Sequence, residues 1–77
     1  MNQMKIDLTT VPYAEIGDTL ESFVLYNADD YGLDAGEIVD EMDDAYQWHI
    51  SRDLPRAQYA NIVVFQRHFG QYVEIVI

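Results

Sequence analysis

The sequence predicts an α+β fold with the order β-α-α-β-β, in which two helices pack on one face of a three-stranded antiparallel sheet. Three observations support it. Residues 4–8 alternate apolar and polar side chains, two central segments have helical periodicity, and two runs rich in β-branched residues lie near the C-terminus. The 77 residues are expected to form one acidic domain, spanning 1–77.

The N-terminal segment predicts a strand followed by a helix. Residues 4–8 form the strand, because apolar and polar side chains alternate there. The helix has two possible starts: Pro12 in its first turn, or Asp18 as a cap with Glu21 closing a capping box. Gly32 predicts its end, since glycine adopts left-handed angles at little cost. The apolar face of this helix consists of Ile16, Leu20, Phe23, Val24 and Tyr31.

The second helix has the clearest boundaries. Asp34 is a good N-cap, and Glu37 stands at the reciprocal capping-box position. The helix is expected to run from Ala35 to about Ile50, and Pro55 prevents any continuation. Its buried stripe is expected to contain Ile38, Val39, Met42, Ala45, Tyr46, His49 and Ile50.

The C-terminal third predicts a β-hairpin. Residues 61–66 and 72–77 are rich in β-branched and aromatic side chains, which favour strands. The intervening residues 67–71 include Gly70, which suits a turn with a positive φ angle.

The charge distribution indicates a binding function. The chain has 14 Asp and Glu against 4 Lys and Arg, a net charge of −10. Between Lys5 and Arg52 there is no Lys or Arg, while 12 carboxylates lie in that stretch. Such a field repels nucleic acid and anionic membranes and attracts basic surfaces. The expected partner is therefore a basic protein, and no direct contact with nucleic acid or membrane is expected.

The second helix carries a crowded acidic face opposite its apolar stripe. This face consists of Glu37, Asp40, Glu41, Asp43 and Asp44. Five like-charge pairs at i,i+3 or i,i+4 spacing destabilise the helix by roughly 1–2.5 kcal/mol together. The helix rises about 10 Å over these residues, giving one charge per ~2 Å, close to the ~1.7 Å of duplex DNA. Asp29 and Asp30 would extend the face at the preceding turn. The alternative interpretation is a face that is merely solvated.

Trp48 adds an aromatic side chain to this face. At about 100° per residue it lies between Glu37 and Glu41. An exposed tryptophan ringed by carboxylates resembles an interface anchor. The competing interpretation is that the last turn bends and Trp48 covers the edge of the core.

The hairpin predicts a second surface. If its inward side chains face the helices, the outward ones form an apolar patch consisting of Val63, Phe65, Tyr72 and Val76. Exposed apolar patches usually mark contact sites. Two interpretations stay open: a homodimer interface, or a surface covered by the N-terminal strand.

Catalytic and metal-binding patterns are weak. The chain has no cysteine, and its two histidines, His49 and His68, lack metal-ligand spacing. We interpret His49 as a packed, hydrogen-bonded side chain and His68 as an exposed turn residue. Ser22 and Ser51 have no evident base to activate them. We therefore expect no enzyme activity, no metal and no cofactor.

In size, charge and lack of catalytic residues the chain resembles small phage-encoded inhibitors that imitate nucleic acid, including many anti-CRISPR proteins. The resemblance is one of overall character and transfers no residue roles. It implies an inhibitor that occupies a basic, nucleic-acid-binding groove of a partner in the cytoplasm, that of a bacterial host if the gene is carried by a phage. The alternative is a non-catalytic assembly or adaptor module that uses the outer sheet face.

Overall fold

A computed structural model describes residues 4–77 as three α-helices and one two-stranded sheet. The elements are β1 (Met4–Asp7), α1 (Ile16–Asn27), α2 (Ala35–Ser51), α3 (Ala57–Phe69) and β2 (Val73–Val76). Short 3-10 turns at Tyr13–Glu15 and Ala28–Tyr31 precede and follow α1. The predicted three-stranded antiparallel sheet with two helices is therefore wrong, since a third helix stands where the first hairpin strand was expected.

The two strands pair with each other in parallel. Met4 lies opposite Val73 and Asp7 opposite Val76, and Leu8 N donates a hydrogen bond to Val76 O at 2.8 Å. The prediction of strands near residues 4–8 and 72–77 is confirmed. The predicted antiparallel pairing of these strands was wrong. All three helices lie between the two strands in the chain, and the strands pair in parallel.

The first helix begins at Ile16, and neither predicted start is correct. Pro12 precedes the 3-10 turn Tyr13–Glu15, with extended angles that lead into it. Asp18 lies inside the first turn of α1 and does not cap it. The predicted stop is correct only for the helical segment as a whole: α1 itself ends at Asn27, and Gly32, with a φ of 71°, ends the 3-10 turn that follows it.

The second helix confirms its predicted cap. Asp34 Oδ1 accepts a hydrogen bond from Glu37 N at 3.2 Å, which satisfies one free N–H of the first turn. The buried stripe is centred on Ile38 and Met42. It is shorter than expected, because Ile50 at its C-terminal end is 49% exposed.

The predicted hairpin strand at residues 61–66 is the centre of α3. A strand would bury alternate residues, whereas α3 buries Phe65 beside Val64 and exposes Val63. Buried residues recur at helical spacing along one broad face: Ala57, Ala60, Asn61, Ile62, Val64, Phe65 and Phe69. Burial against the other two helices outweighs the β preference of this run, which is a weak and context-dependent term. Gly70 follows α3 with a φ of −58°, so the expected positive-φ turn is absent.

The apolar patch expected on the outer sheet face does not form. Phe65 is fully buried, while Val63 is 58% exposed on the other side of the same helix. Tyr72 lies between α3 and β2 and stacks on Tyr31, with ring centroids 4.9 Å apart. Val76 belongs to β2. These four residues share no face, because two of them are on a helix.

An aromatic cluster joins α1 to α3 in the core. Phe65 and Phe69 stack with ring centroids 4.7 Å apart, and Phe23 packs edge-on against both at 5.6 Å. Edge-to-face and offset-stacked pairs of this kind add to the burial free energy. The core also contains Leu20, Val24, Ile38, Met42 and Val73.

The N-terminal ends of α1 and α3 cap each other. Gly17 N donates to Gln58 Oε1 at 2.8 Å, and Gln58 N donates to the Tyr13 hydroxyl at 3.1 Å. Each bond satisfies a first-turn N–H that its own helix leaves free. Gly17 permits this close approach, because a Cβ at this position would lie 2.7 Å from Asn61 Nδ2.

The helical assignment of residues 57–69 predicts opposite effects at neighbouring positions. We expect Phe65→Leu to lower the free energy of unfolding by about 1–2 kcal/mol, because it removes buried ring atoms. Val63→Ala should change it by less than about 0.5 kcal/mol, since Val63 is exposed. Urea denaturation followed by circular dichroism measures both. Equal losses at the two positions would contradict the helix.

Candidate functional site

The acidic face of α2 is divided by the helices that flank it. At about 100° per residue, Glu41 and Asp43 lie on opposite sides of the buried line through Met42. Glu41 is next to α3, where it contacts His68, and Asp43 is next to α1, where it contacts Glu21. The other three carboxylates point outward and are exposed: Glu37, Asp40 and Asp44.

Glu41 is bound within the fold. Its Oε2 lies 2.8 Å from His68 Nε2 and 3.7 Å from Arg67 Nη1. His68 is not in an exposed turn as expected, because it belongs to the last turn of α3 and is partly buried. Hydrogen bonds to an ionised carboxylate are stronger than neutral ones. This contact therefore joins α2 to α3, and Glu41 is less accessible to a partner than its position on the helix suggested.

Glu21 and Asp43 form a carboxyl pair between α1 and α2. The pKa of Glu21 is raised from 4.5 to about 7, chiefly by partial burial and in addition by a hydrogen bond with Asp43 and by the charges of Asp43 and Asp18. Two carboxylates close together resist simultaneous ionisation, so they retain a proton between them. The sequence assigned Glu21 to a capping box, and its position in this pair was missed.

The three outward carboxylates form what we call the acidic row: Glu37, Asp40 and Asp44. Within residues 4–77, both ion pairs are made by Glu41, so no described basic side chain pairs with the row. Asp29 and Asp30 are also exposed, in the 3-10 turn Ala28–Tyr31 that leads towards α2. They add two negative charges in the turn that precedes α2 in the chain.

Trp48 is about half exposed, at 49%. The guanidinium carbon of Arg52 lies 4.4 Å from the centroid of its ring, and Arg52 Nη1 donates to Trp48 O at 3.4 Å. A cation over the indole face is attracted by the ring electrons. Trp48 thus lies at the edge of the acidic surface with a basic side chain on one of its faces.

A cavity of about 360 Å³ opens where α1, α2 and α3 meet, and we call it the carboxylate groove. Its lining consists of Ala14, Gly17, Asp18, Glu21, Asp43, Tyr46, Gln47, Gln58 and Asn61. Asn61 is only 3% exposed, and its Oδ1 is buried without a hydrogen-bond partner among the described residues. A buried acceptor without a partner is costly, so native structures contain few of them.

The sequence contained a signal for this groove that the strand interpretation concealed. On a helix, Asn61 lies at the centre of the face that buries Ala57, Val64 and Phe65. A lone amide in the middle of an apolar helical face indicates a polar requirement at that place. On a strand, the same residue is merely the first position of the run.

A second cavity, the apolar groove, lies between the C-terminal half of α2 and α3. It measures about 420 Å³ and is lined by Ala45, His49, Pro55, Arg56, Tyr59, Ala60, Val63, Val64 and Arg67. His49 is partly buried here, and its Nδ1 donates to Ala45 O at 2.9 Å. The interpretation of His49 as a packed, hydrogen-bonded side chain is confirmed.

No protein-family model matches the chain, and searches of curated proteins and of solved structures found no match either. Among residues 4–77, no group of three or more His, Asp or Glu side chains is arranged to hold a metal ion. None of the helices formed by these residues is long and apolar enough to cross a membrane.

The carboxyl pair predicts a pH dependence of stability. The folded pKa of Glu21 lies above its ordinary value, so between about pH 4.5 and 7 the folded protein holds a proton that the unfolded chain has released. The free energy of unfolding should therefore fall as pH rises through this window. Glu21→Gln should remove that part of the dependence and stabilise the protein at pH 8. Thermal melts of both proteins at intervals between pH 4 and 8 measure it; parallel profiles would contradict the pair.

The division of the acidic face predicts opposite effects of two alanine variants. Glu41→Ala should lower the free energy of unfolding by about 0.5–1 kcal/mol, because it removes the bonds to α3. Asp44→Ala should raise it by a few tenths of a kcal/mol, because it removes like-charge repulsion and introduces a better helix former. Urea denaturation at low salt measures both. Destabilisation of similar size by Asp44→Ala would show that the acidic row is also held within the fold.

Proposed function

We propose that this protein is a small acidic inhibitor that binds in a basic, nucleic-acid-binding groove of a partner protein. It acts by binding, without catalysis or a cofactor, in the cytoplasm, and in the cytoplasm of a bacterial host if it is encoded by a phage. The acidic row makes the central contacts and stands in for phosphates. Asp29 and Asp30 extend the charged contact, and Trp48 anchors its edge.

The acidic row is the observation that carries this proposal. Its three carboxylates repel each other on a small domain, yet no described basic side chain pairs with them. Asp40 stands at i,i+3 from Glu37 and at i,i+4 from Asp44, spacings at which like charges destabilise a helix. A basic surface on a partner would relieve this repulsion, because it would bring positive charges close to the three carboxylates. This favours binding.

The geometry of the row favours imitation of a single strand rather than a duplex. Glu41 contacts α3 and the exposed Asp43 contacts Glu21, so three exposed carboxylates without a contact to another helix remain from Glu37 to Asp44. The helix rises about 10 Å over this span, so neighbouring charges of the row lie about 5 Å apart along its axis. One strand of a nucleic acid carries a phosphate every ~3.4 Å along the helix axis. The spacing of the row is wider than this, but it is nearer to that of one strand than to the ~1.7 Å of a duplex, so a groove that follows one strand is the better match.

A contact surface of different character supports a second candidate, an assembly or adaptor module. The apolar groove places Tyr59 and Val63, which are 42% and 58% exposed, between Arg56 and Arg67. Apolar side chains with a polar rim are typical of protein contacts. Binding there would be weakly dependent on salt and would be disrupted by Val63→Asp rather than by changes in the acidic row.

Charge reversal in the acidic row tests the proposed function. Wild-type protein as bait in a bacterial lysate at low salt should enrich nucleic-acid-binding proteins that a DNA or RNA oligonucleotide releases. Asp40→Lys with Asp44→Lys should weaken binding to the main captured protein by at least about tenfold, or ~1.4 kcal/mol. Wild-type affinity should also fall as salt increases.

The matched control is Glu15→Lys with Glu74→Lys, two exposed carboxylates outside α2 whose reversal changes the net charge equally. It should retain most of the affinity. If both double variants lose affinity to the same extent, only the overall charge matters. Binding that is unaffected by both and by salt would refute the proposal and favour the apolar groove.

A further inference from the structure

We propose that the carboxylate groove is a binding site for the guanidinium group of an arginine side chain. The assignment of that arginine to a basic partner protein rests on the proposed function. The site itself rests on the groove and its lining, and it lies on the α1 side of α2, apart from the outward acidic row.

Asn61 supplies the first reason. It lines the groove, it is 97% buried, and its Oδ1 has no hydrogen-bond partner within the described chain. Its Nδ2 lies against Gly17 of α1, where a Cβ would be only 2.7 Å away. Asn61 and Gly17 both line the groove, so the oxygen without a partner belongs to an amide in its wall, and a ligand with N–H donors would supply the missing hydrogen bond.

The two carboxyl groups supply the second reason. Glu21 and Asp43 line the same groove as Asn61, one from α1 and one from α2. The charged groups facing Glu21 are Asp18 on its own helix and Asp43 on α2, while α3 contributes the neutral amides Gln58 and Asn61. No described cation lines this groove. A proton now offsets part of the repulsion, as the raised pKa of Glu21 indicates, and a bound cation would replace it.

The shape of the site favours guanidinium over a metal ion or an ammonium group. Guanidinium has five N–H donors in one plane and no acceptor, which suits a groove lined by acceptors from three helices. A cavity of about 360 Å³ is far larger than a bare ion requires. Mg²⁺ and Ca²⁺ prefer six or more oxygen ligands, and no group of three metal-binding acidic or histidine side chains occurs among residues 4–77. Lysine offers a compact point charge that cannot bridge separated acceptors in one plane.

The test uses the whole protein and N-acetyl-L-arginine amide as the probe, followed by NMR. We expect saturable shifts of the Asn61 side-chain amide and the Glu21 carboxyl carbon, with a Kd on the order of 1 mM. At pH 7 binding should release about half a proton per probe molecule, because Glu21 with a pKa of about 7 is half protonated there. N-acetyl-L-citrulline amide, which is neutral and nearly the same shape, should produce no saturable shift.

Variants separate the groove from the general negative field. Glu21→Gln and Asp43→Asn should each weaken probe binding by at least about fivefold, and Glu21→Gln should also abolish proton release. Asp44→Asn removes the same charge from the acidic row. It should leave probe affinity unchanged within about twofold and should not change proton release. Equal effects of all three variants, or equal shifts with the citrulline probe, would overturn the site.

Two further arms identify other occupants. MgCl2 at matched ionic strength should not reproduce the Asn61 shift, and N-acetyl-L-lysine amide should bind at least about fivefold more weakly than the arginine probe. Tighter binding of either would reject guanidinium as the ligand. Failure of the arginine probe, with partner binding still dependent on Asp40 and Asp44, would reject this site and leave the proposed function standing.

Discussion

The close approach of α1 to α3 at Gly17 determines the arrangement of the rest of the molecule. The Gln58 side chain accepts a hydrogen bond from Gly17 N in the first turn of α1, and Gln58 N donates one to the Tyr13 hydroxyl. The first turns of both helices thus obtain acceptors for N–H groups that have no partner within their own helix. Any side chain at residue 17 would press on Asn61 and Gln58. With these two helices held together, α2 packs against both, and the faces on which its carboxylates lie follow from that position.

One run of acidic residues therefore has three different physical roles. Glu41 bonds to α3 and contributes to packing. Asp43 faces Glu21 and helps to raise the pKa of that carboxyl group. Glu37, Asp40 and Asp44 are exposed and make no ion pair with the described residues. Residues that look equivalent in the sequence differ because α1 and α3 contact two sides of α2 and leave the third side to water.

The sequence correctly predicted features that depend on neighbouring residues. It failed for features that depend on contacts between residues far apart in the chain. The Asp34 cap, the Gly32 stop and the limits of α2 depend on hydrogen bonds and dihedral angles within a few residues. Residues 61–66 were assigned to a strand because β-branched side chains dominate there, yet burial against α1 and α2 makes this run helical. The carboxylate groove was unpredictable for the same reason, since its lining comes from three helices and becomes visible only once α3 is recognised.

The pairing of β1 with β2 has a consequence for the order of assembly. The two strands are four residues each and lie about 70 positions apart in the chain, with all three helices between them. Helices form within microseconds, whereas joining distant segments must first overcome the entropy of closing a long loop. During synthesis on the ribosome, β1 emerges before β2, and it stays unpaired until the three helices between the strands have been synthesised. The sheet is thus the last part to close, and its amide hydrogens are among the first expected to exchange with solvent.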